Sequence, residues 1–322
     1  MKDPLVAHCI TGALRSFPEP RVFGSLREKL LDAFSSRYKV FVVVSFDCRV
    51  RTVDYLNASK SSHRASCAKD YFTSDIDRAL AYLGAESFEV VPNRNAPSVD
   101  CPSARGEVDR HPAYWLQQQK TQRCVAAVEH YERESGVCFD WVVRTRPDDL
   151  WKVNAPPAVS LPRNMVSTGA TWPWFAPLQH WARTNYSAID DHFMAAPRKL
   201  ADLAMKRALD TWRDCRSLAD YELVCPSKML YYFRDHGISD RAMMTSECLL
   251  GLHLRSHGVR WRVDGRFSYV MRRVPGGLSN ESYTRMLAAY PMRHPDRFAE
   301  YKQLEEAVER HSWGEADLLR VG

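Results

Sequence analysis

FDWVVRTRPDDLW, residues 139–151, is an apolar run that ends in two arginines, a proline and two adjacent aspartates before closing on another apolar pair. Alternation along an extended chain turns Phe139, Trp141 and Val143 to one face and Val142, Arg144 and Arg146 to the other. Pro147 has no N–H to give to a ladder and holds the residues before it extended. The strand therefore ends there, and Asp148 and Asp149 lie just past its carboxyl end. In open α/β sheets that edge is where ligands bind. Neighbours in an extended chain point apart, so unless the backbone turns after Pro147 one of the two carboxylates leads at any single ligand.

The flanking sequence continues the same fold class. LVAHCI at 5–10 reads as a strand that turns at Thr11-Gly12, and VFVVVSF as a second buried strand ending at Asp47. Between them Ser25-Leu-Arg-Glu28 has the form of a capping box, with Leu26, Leu30, Leu31 and Phe34 at helical spacing. The order β-α-β implies a parallel sheet. Ser74 is placed to cap a helix through Ala85, and FEVV at 88–91 is a third strand. A strong helix runs from Ala113 to Glu134, and its stripe of Val128 and Cys124 continues by fours into Lys120 and Leu116, with Gln117 one turn away. IDDHFMAAPR at 189–198 is a short strand with three polar side chains at its mouth. Helices follow at Lys199–Leu209, Ser227–Asp235 and Ser246–Ser256, the last stopped by Gly258. VRWRVDGRFSYVMRR reads as a hairpin around Asp264-Gly265. The segment Asp296–His311 reads as a charged surface helix. One α/β domain over residues 1–295, with a helical tail at 296–322, accounts for this order.

The chain has 322 residues, 45% of them hydrophobic and 26% charged, with a formal net charge of +6. Lys and Arg are scattered among acids, a bias toward small anionic ligands that is too weak for nucleic acid. No run reaches the roughly 18 apolar residues of a membrane helix, and MKDPLVAHCI is too short for a signal peptide. The chain as given reads as cytoplasmic, or as belonging to the Golgi lumen if cut from an anchored precursor. Its nine cysteines form no C-x-x-C pair. Cys9, Cys124, Cys138 and Cys248 fit small core positions, whereas Cys67, Cys101, Cys215 and Cys225 lie in polar stretches and would pair in an oxidising compartment.

Several polar groups fall at strand ends. Thr11, Gly12 and Arg15 follow the first strand, where glycine lets backbone N–H groups approach a phosphate and arginine offers a fork of donors. Asp148 and Asp149 are carboxylates of the kind that hold Mg2+ or Mn2+ beside phosphate oxygens and water. Asp190, Asp191 and His192 suit metal ligation or a general base. Glu247 opens a helix, where an acid also suits the dipole. A Pro-Asp turn and ordinary ion pairs would use the same residue types. There is no G-x-S-x-G elbow, H-E-x-x-H, P-loop or kinase signature.

CITGALRSF, QQQKTQRC, FDWVVRTRPDDLW, IDDHFMAAPR and SECLLGLHL, in that order across residues 8–255, resemble small glycosyltransferases of the GT-A type. Such enzymes occur in polysaccharide gene clusters, some viruses and unicellular eukaryotes. The resemblance implies a Rossmann-like, mainly parallel mixed sheet flanked by helices, with a nucleotide-sugar half at 1–151 and an acceptor half at 152–295. A UDP- or GDP-sugar would lie at the strand ends, with Thr11, Gly12 and Arg15 near the nucleotide and Lys120 near its phosphates. Arg144 and Arg146 would stabilise the leaving diphosphate. Asp148 would take the place of the family's acidic motif for Mn2+ or Mg2+, although D-D-L replaces D-x-D and leaves Asp148 and Asp149 both open. Asp191 or Glu247 would deprotonate the hydroxyl of a glycan acceptor, and Trp172 and Trp174 would stack on sugar. Two other classes use the same residues: a carbohydrate-binding protein with a decayed site, and a metal-dependent hydrolase built on Asp148, Asp191 and His192.

Overall fold

Strand β1 (Leu5–Ala13) is buried along almost its whole length, as are the inner parts of β2 (Arg37–Ser45) and all of β5 (Trp141–Thr145). Strands buried on both faces read as continuous apolar runs and belong at the centre of a parallel sheet. The computed structural model describes residues 3–45, 73–91, 108–110, 112–169, 189–213, 242–244 and 246–271, all within one compact unit. The expectations for the aromatic stretch at 171–181, the helices at 227–235 and 296–311, and Cys67, Cys101, Cys215 and Cys225 lie outside these residues.

The seven-stranded sheet adds β3 (Ala85–Val90), β7 (Val166–Thr168), β8 (Met194–Pro197) and β10 (Trp261–Val263), in the order β10-β7-β8-β5-β1-β2-β3. β8 is antiparallel to β5 and β7, and every other pairing is parallel. β1 lies between β2 and β5, so the strand order reverses beside it, and ligands of open α/β sheets bind at such a switch point. Because β8 runs the other way, the residues that enter it reach the same edge at which β1 and β5 end.

Each face of the sheet has its own core. Cys9, Val43, Val142 and Met194 pack with Val125 and Val128 of the long helix α4 (Pro112–Ser135). Val6, Ile10, Val42, Trp141 and Val143 pack with Leu26, Leu30 and Phe34 from the helical segment between β1 and β2. The expected alternation holds from Trp141 to Arg144, but Phe139 lies with Val142, because the strand begins only at Trp141.

Other differences have local causes. Thr11 and Gly12 do not turn; they remain in β1, paired with Val43 and Val44. Glycine is required at position 12 by close approach, since a Cβ there would sit 2.8 Å from Cδ of Pro147. The first helix, α1 (Pro20–Ser25), starts with Pro20 in its first turn, passes through a π-helical turn at Leu26–Leu31 and ends in α2 (Asp32–Phe34). Ser25 is therefore not a cap: its hydroxyl donates to Val22 O and accepts from Trp151 N–H. Helix α3 (Thr73–Leu83) stops before Ala85 because Gly84 takes positive φ. The helix expected at Lys199–Leu209 is α5 (Arg198–Ala204), broken at Met205, then a tight turn Lys206–Leu209 and α6 (Asp210–Arg213). Helix α7 (Ser246–Ser256) matches expectation, with Gly258 at positive φ after it.

The hairpin at Asp264-Gly265 does not form. The Asp264 carboxylate gathers Arg262 and Arg266, and the chain diverges there. β10 joins the main sheet beside β7, while β11 (Tyr269–Met271) pairs with β6 (Asp149–Trp151). A further pair, β4 (Val108–Arg110) with β9 (Ala242–Met244), completes the strands among the described residues.

The cysteines also differ from expectation. Cys9 faces α4 and meets Cys124 there in a disulfide, with 5.8 Å between the Cα atoms. Cys248 is disulfide-bonded too, and Cys138 is an exposed thiol, not a core residue, because it precedes β5. Among the described residues no helix is long and apolar enough to cross a membrane.

Candidate active site

Five elements bring polar side chains to the carboxyl edge of β1 and β5. The chain leaving β1 carries Arg15, and the chain leaving β5 carries Arg146, Asp148 and Asp149. The amino half of α4 contributes Gln117, Lys120 and Thr121, the entry to β8 contributes Asp190, Asp191 and His192, and β11 contributes Tyr269.

Asp148 is fully buried and gripped by arginines. Arg146 holds it with two bonds, Nε to Oδ1 and Nη2 to Oδ2, each 2.9 Å, and Arg15 Nη1 donates to Oδ2 at 2.9 Å. Forked pairs of this kind are the stronger charge-assisted bonds. Arg15 sits at φ 36°, a region that non-glycine residues seldom occupy, so backbone strain accompanies the contact with Asp148. Burial works to raise the Asp148 carboxyl, but Arg146 and Arg15 outweigh it and hold the group well below the usual range. Burial likewise opposes the Arg146 charge, and Asp148 restores it.

The backbone turns at Pro147-Asp148, so strand alternation does not separate the two carboxylates, and Asp149 has its own partners. Its Oδ1 is 3.2 Å from His192 Nδ1, and its Oδ2 accepts from the Arg146 backbone N–H at 3.3 Å. Burial pushes the Asp149 carboxyl up against the pull of His192. Burial and Arg146 pull the His192 ring down, yet Asp149 and Asp191 prevail and leave it above its ordinary value. The pair therefore holds a proton more firmly than either group would alone.

The segment before β8 is fixed at each residue. Ile189 N–H donates to Glu247 O, His192 N–H to Asp190 Oδ1, Tyr269 Oη to Asp190 Oδ2, and Gln117 Nε2 to Asp191 O. Asp191 itself is buried, with Oδ1 3.6 Å from His192 Nε2. Glu247 opens α7, is half-buried, and meets this segment through its backbone carbonyl.

Arg144 lies on the α4 face, wholly buried. Its Nε donates to Thr11 Oγ1 at 3.4 Å, and Thr11 in turn lies 3.4 Å from Thr121 Oγ1 on α4. Its two terminal nitrogens, Nη1 and Nη2, meet no hydrogen-bond partner among the described residues. Burial pulls this guanidinium down from its ordinary value, while Asp191, Asp149 and Asp190 act to keep its charge. A buried donor without a partner costs about 1–3 kcal/mol, more when charged, so the arrangement is suited to an anion that supplies the missing acceptors. Lys120 is buried close by in sequence, with Nζ donating to Leu116 O at 2.9 Å.

Asp148 and Asp149, the residues expected to hold Mn2+ or Mg2+, do not fit that role as they stand. Every oxygen of the two carboxylates already accepts from a side chain or a backbone N–H. A cation entering at Asp148 would trade one attraction for repulsion from two guanidiniums, about 4 kcal/mol per pair of unit charges at ~4 Å near a protein surface. Asp148, Asp191 and His192 likewise do not gather as ligands: no cluster of three His, Cys, Asp or Glu among the described residues is arranged to hold a metal.

The structure thus brings Thr11, Arg15, Arg144, Arg146, Asp148, Asp149 and Asp191 into one network, sets Gly12 beneath Pro147, and joins Glu247 to it through the backbone. Sequence reasoning missed Thr121, Tyr269 and Gly169. Thr121 lies four residues after Gln117, one turn along the same helix face, a signal that could have found it. Tyr269 was hidden inside the expected hairpin. Gly169 admits Tyr269, whose Oη would lie 2.8 Å from a Cβ at that position. The chain matches no protein-family model and no curated protein.

Proposed function

We propose that the protein is a glycosyltransferase of the GT-A kind, moving a sugar from a nucleoside-diphosphate donor, UDP- or GDP-linked, to a hydroxyl of a glycan acceptor. The observation that carries this reading is the buried Arg144 fork without acceptors, placed where the strand order reverses. Cleavage of the donor's sugar–phosphate bond leaves negative charge on the nucleoside diphosphate. Preorganised cations in a site screened from water stabilise such charge far better than water does. Arg144 supplies that group on the α4 side, and Thr11 fixes its Nε. Asp191 is the base for the acceptor hydroxyl, since it is a buried carboxylate whose backbone is anchored by Gln117. Glu247 is the second candidate, and its backbone carbonyl accepts from Ile189 N–H two residues before Asp191. The disulfides favour an oxidising compartment, such as the Golgi lumen, over the cytoplasm.

Titration of UDP and GDP into the protein tests the reading. Arg144→Gln should weaken the bound nucleotide by about 10- to 100-fold, the worth of charge-assisted bonds. Its melting temperature should not fall, because the variant removes a buried charge that lacks hydrogen-bond acceptors. Unchanged nucleotide affinity in this variant would take Arg144 out of the site and with it the support for a diphosphate donor.

A further inference from the structure

The two carboxylates expected to bind metal are engaged by arginine, histidine and backbone, while a neighbouring guanidinium is buried without acceptors. These observations point the same way. Asp148 accepts from Arg146 twice and from Arg15 once, at 2.9 Å each time, and is fully buried. Asp149 is taken up by His192 and by the Arg146 N–H. Arg144 Nη1 and Nη2 are buried with no acceptor among the described residues, within electrostatic reach of Asp191, Asp149 and Asp190. A diphosphate has acceptors to spare for them, and a guanidinium fork matches a pair of phosphate oxygens.

We propose that this site binds the diphosphate without a divalent cation, through the Arg144 fork, and that Asp148 is a positioning residue that sets the Arg15 and Arg146 guanidiniums instead of ligating metal. The inference takes its ligand class from the function proposed above. It makes the leaving-group charge the business of fixed arginines, so the positive charge of the site is present before the donor arrives. No metal has to be recruited with each donor and none has to leave with the product. Asp148 keeps the guanidiniums of Arg15 and Arg146 from scattering under mutual repulsion, which a neutral residue of the same shape would not do.

The probes are inorganic pyrophosphate, UDP and GDP, each titrated calorimetrically into the intact protein, once in EDTA and once with Mn2+. Pyrophosphate is expected to bind in EDTA with an affinity within about threefold of that in Mn2+, a difference small beside the tenfold that each 1.4 kcal/mol represents. Arg144→Gln should lose at least tenfold of that metal-free affinity. Asp148→Asn removes a negative charge beside two guanidiniums. With the two guanidiniums no longer held together, it should bind pyrophosphate in EDTA less tightly than the parent, and raised salt, which screens their repulsion, should narrow that difference, a readout that mere loss of packing would not move; parental affinity at every salt concentration would remove the positioning role. Should Asp148→Asn fail to fold, the parent and Arg144→Gln decide the matter. Binding that requires Mn2+, absence of pyrophosphate binding under both conditions, or full metal-free affinity in Arg144→Gln would each overturn the inference. If pyrophosphate binds in EDTA but neither UDP nor GDP does, the metal-free anion site stands and the nucleotide-sugar reading falls.

Discussion

Asp191→Asn is expected to lower turnover by about a hundredfold or more, the usual cost of removing a general base, while UDP or GDP affinity stays near that of the parent. The substitution keeps the volume of the side chain and removes its basicity. The backbone of Asp191 is held by Gln117 from α4, and neither that bond nor the burial of the residue depends on the carboxylate. Under the proposed function the diphosphate is the ligand of Arg144, whose bond to Thr11 is also left intact. Chemistry and donor binding should therefore separate in this variant. Glu247→Gln is the companion measurement, since one acid serves as base in a single-displacement transfer. Transfer at the parental rate in both variants would show that neither acid is the base. Loss of the nucleotide in Asp191→Asn would move Asp191 to the groups that bind the donor.

Acid is expected to destabilise the protein strongly, by about 4 kcal/mol between pH 7 and pH 5. His8 is wholly enclosed between the edges of the Phe34 and Tyr38 rings, and burial alone pulls its ring down to about 3. Burial also lowers His253 to about 4, where Thr211 and the Leu203 carbonyl fix a neutral tautomer. Both ordinary values are about 6.5, so in this window the unfolded chain binds protons that the folded chain refuses, and stability falls as pH falls. Each group costs about 1.4 kcal/mol per pH unit below 6.5, about 2 kcal/mol at pH 5, against a total that is only 5–15 kcal/mol for an ordinary domain. Asp149 and His192 act with the opposite sign: raised His192 favours folding below the ordinary histidine value and raised Asp149 below the ordinary carboxylate value, and each contribution fades as pH climbs through the raised value of that group. Denaturant unfolding at pH 7, 6 and 5 measures the effect, and His8→Leu should remove about half of the acid loss. A parent protein equally stable at pH 7 and pH 5 would mean that water reaches these rings.

The sheet was legible because its strands announce themselves: nine residues of β1, nine of β2 and the apolar half of FDWVVRTRPDDLW have no other use for so much buried surface. Pro147 located the edge, and IDDH located the opposing segment. What the sequence hid is long-range. Nothing local tells that β8 would run antiparallel and bring His192 to Asp149, 43 positions earlier in the chain, or that Tyr269 would close over Asp190. The arginines were visible as charges, but whether Asp148 faces a metal or Arg15 and Arg146 depends on geometry that composition does not encode. Cys9 and Cys124 were rightly read as buried; their pairing required knowing that β1 and α4 share a face.

That pairing bears on how the protein must be made. The Cys9–Cys124 bond closes 115 residues of chain between β1 and α4, a constraint worth about 4–5 kcal/mol in the chain-entropy picture. It lies two residues from Thr11 on one side and three from Thr121 on the other, along the contact that leads to Arg144. Material produced in a reducing host would leave this seam to packing alone. An inactive preparation would then report on the oxidant supplied during folding before it reported anything about the substrates tried.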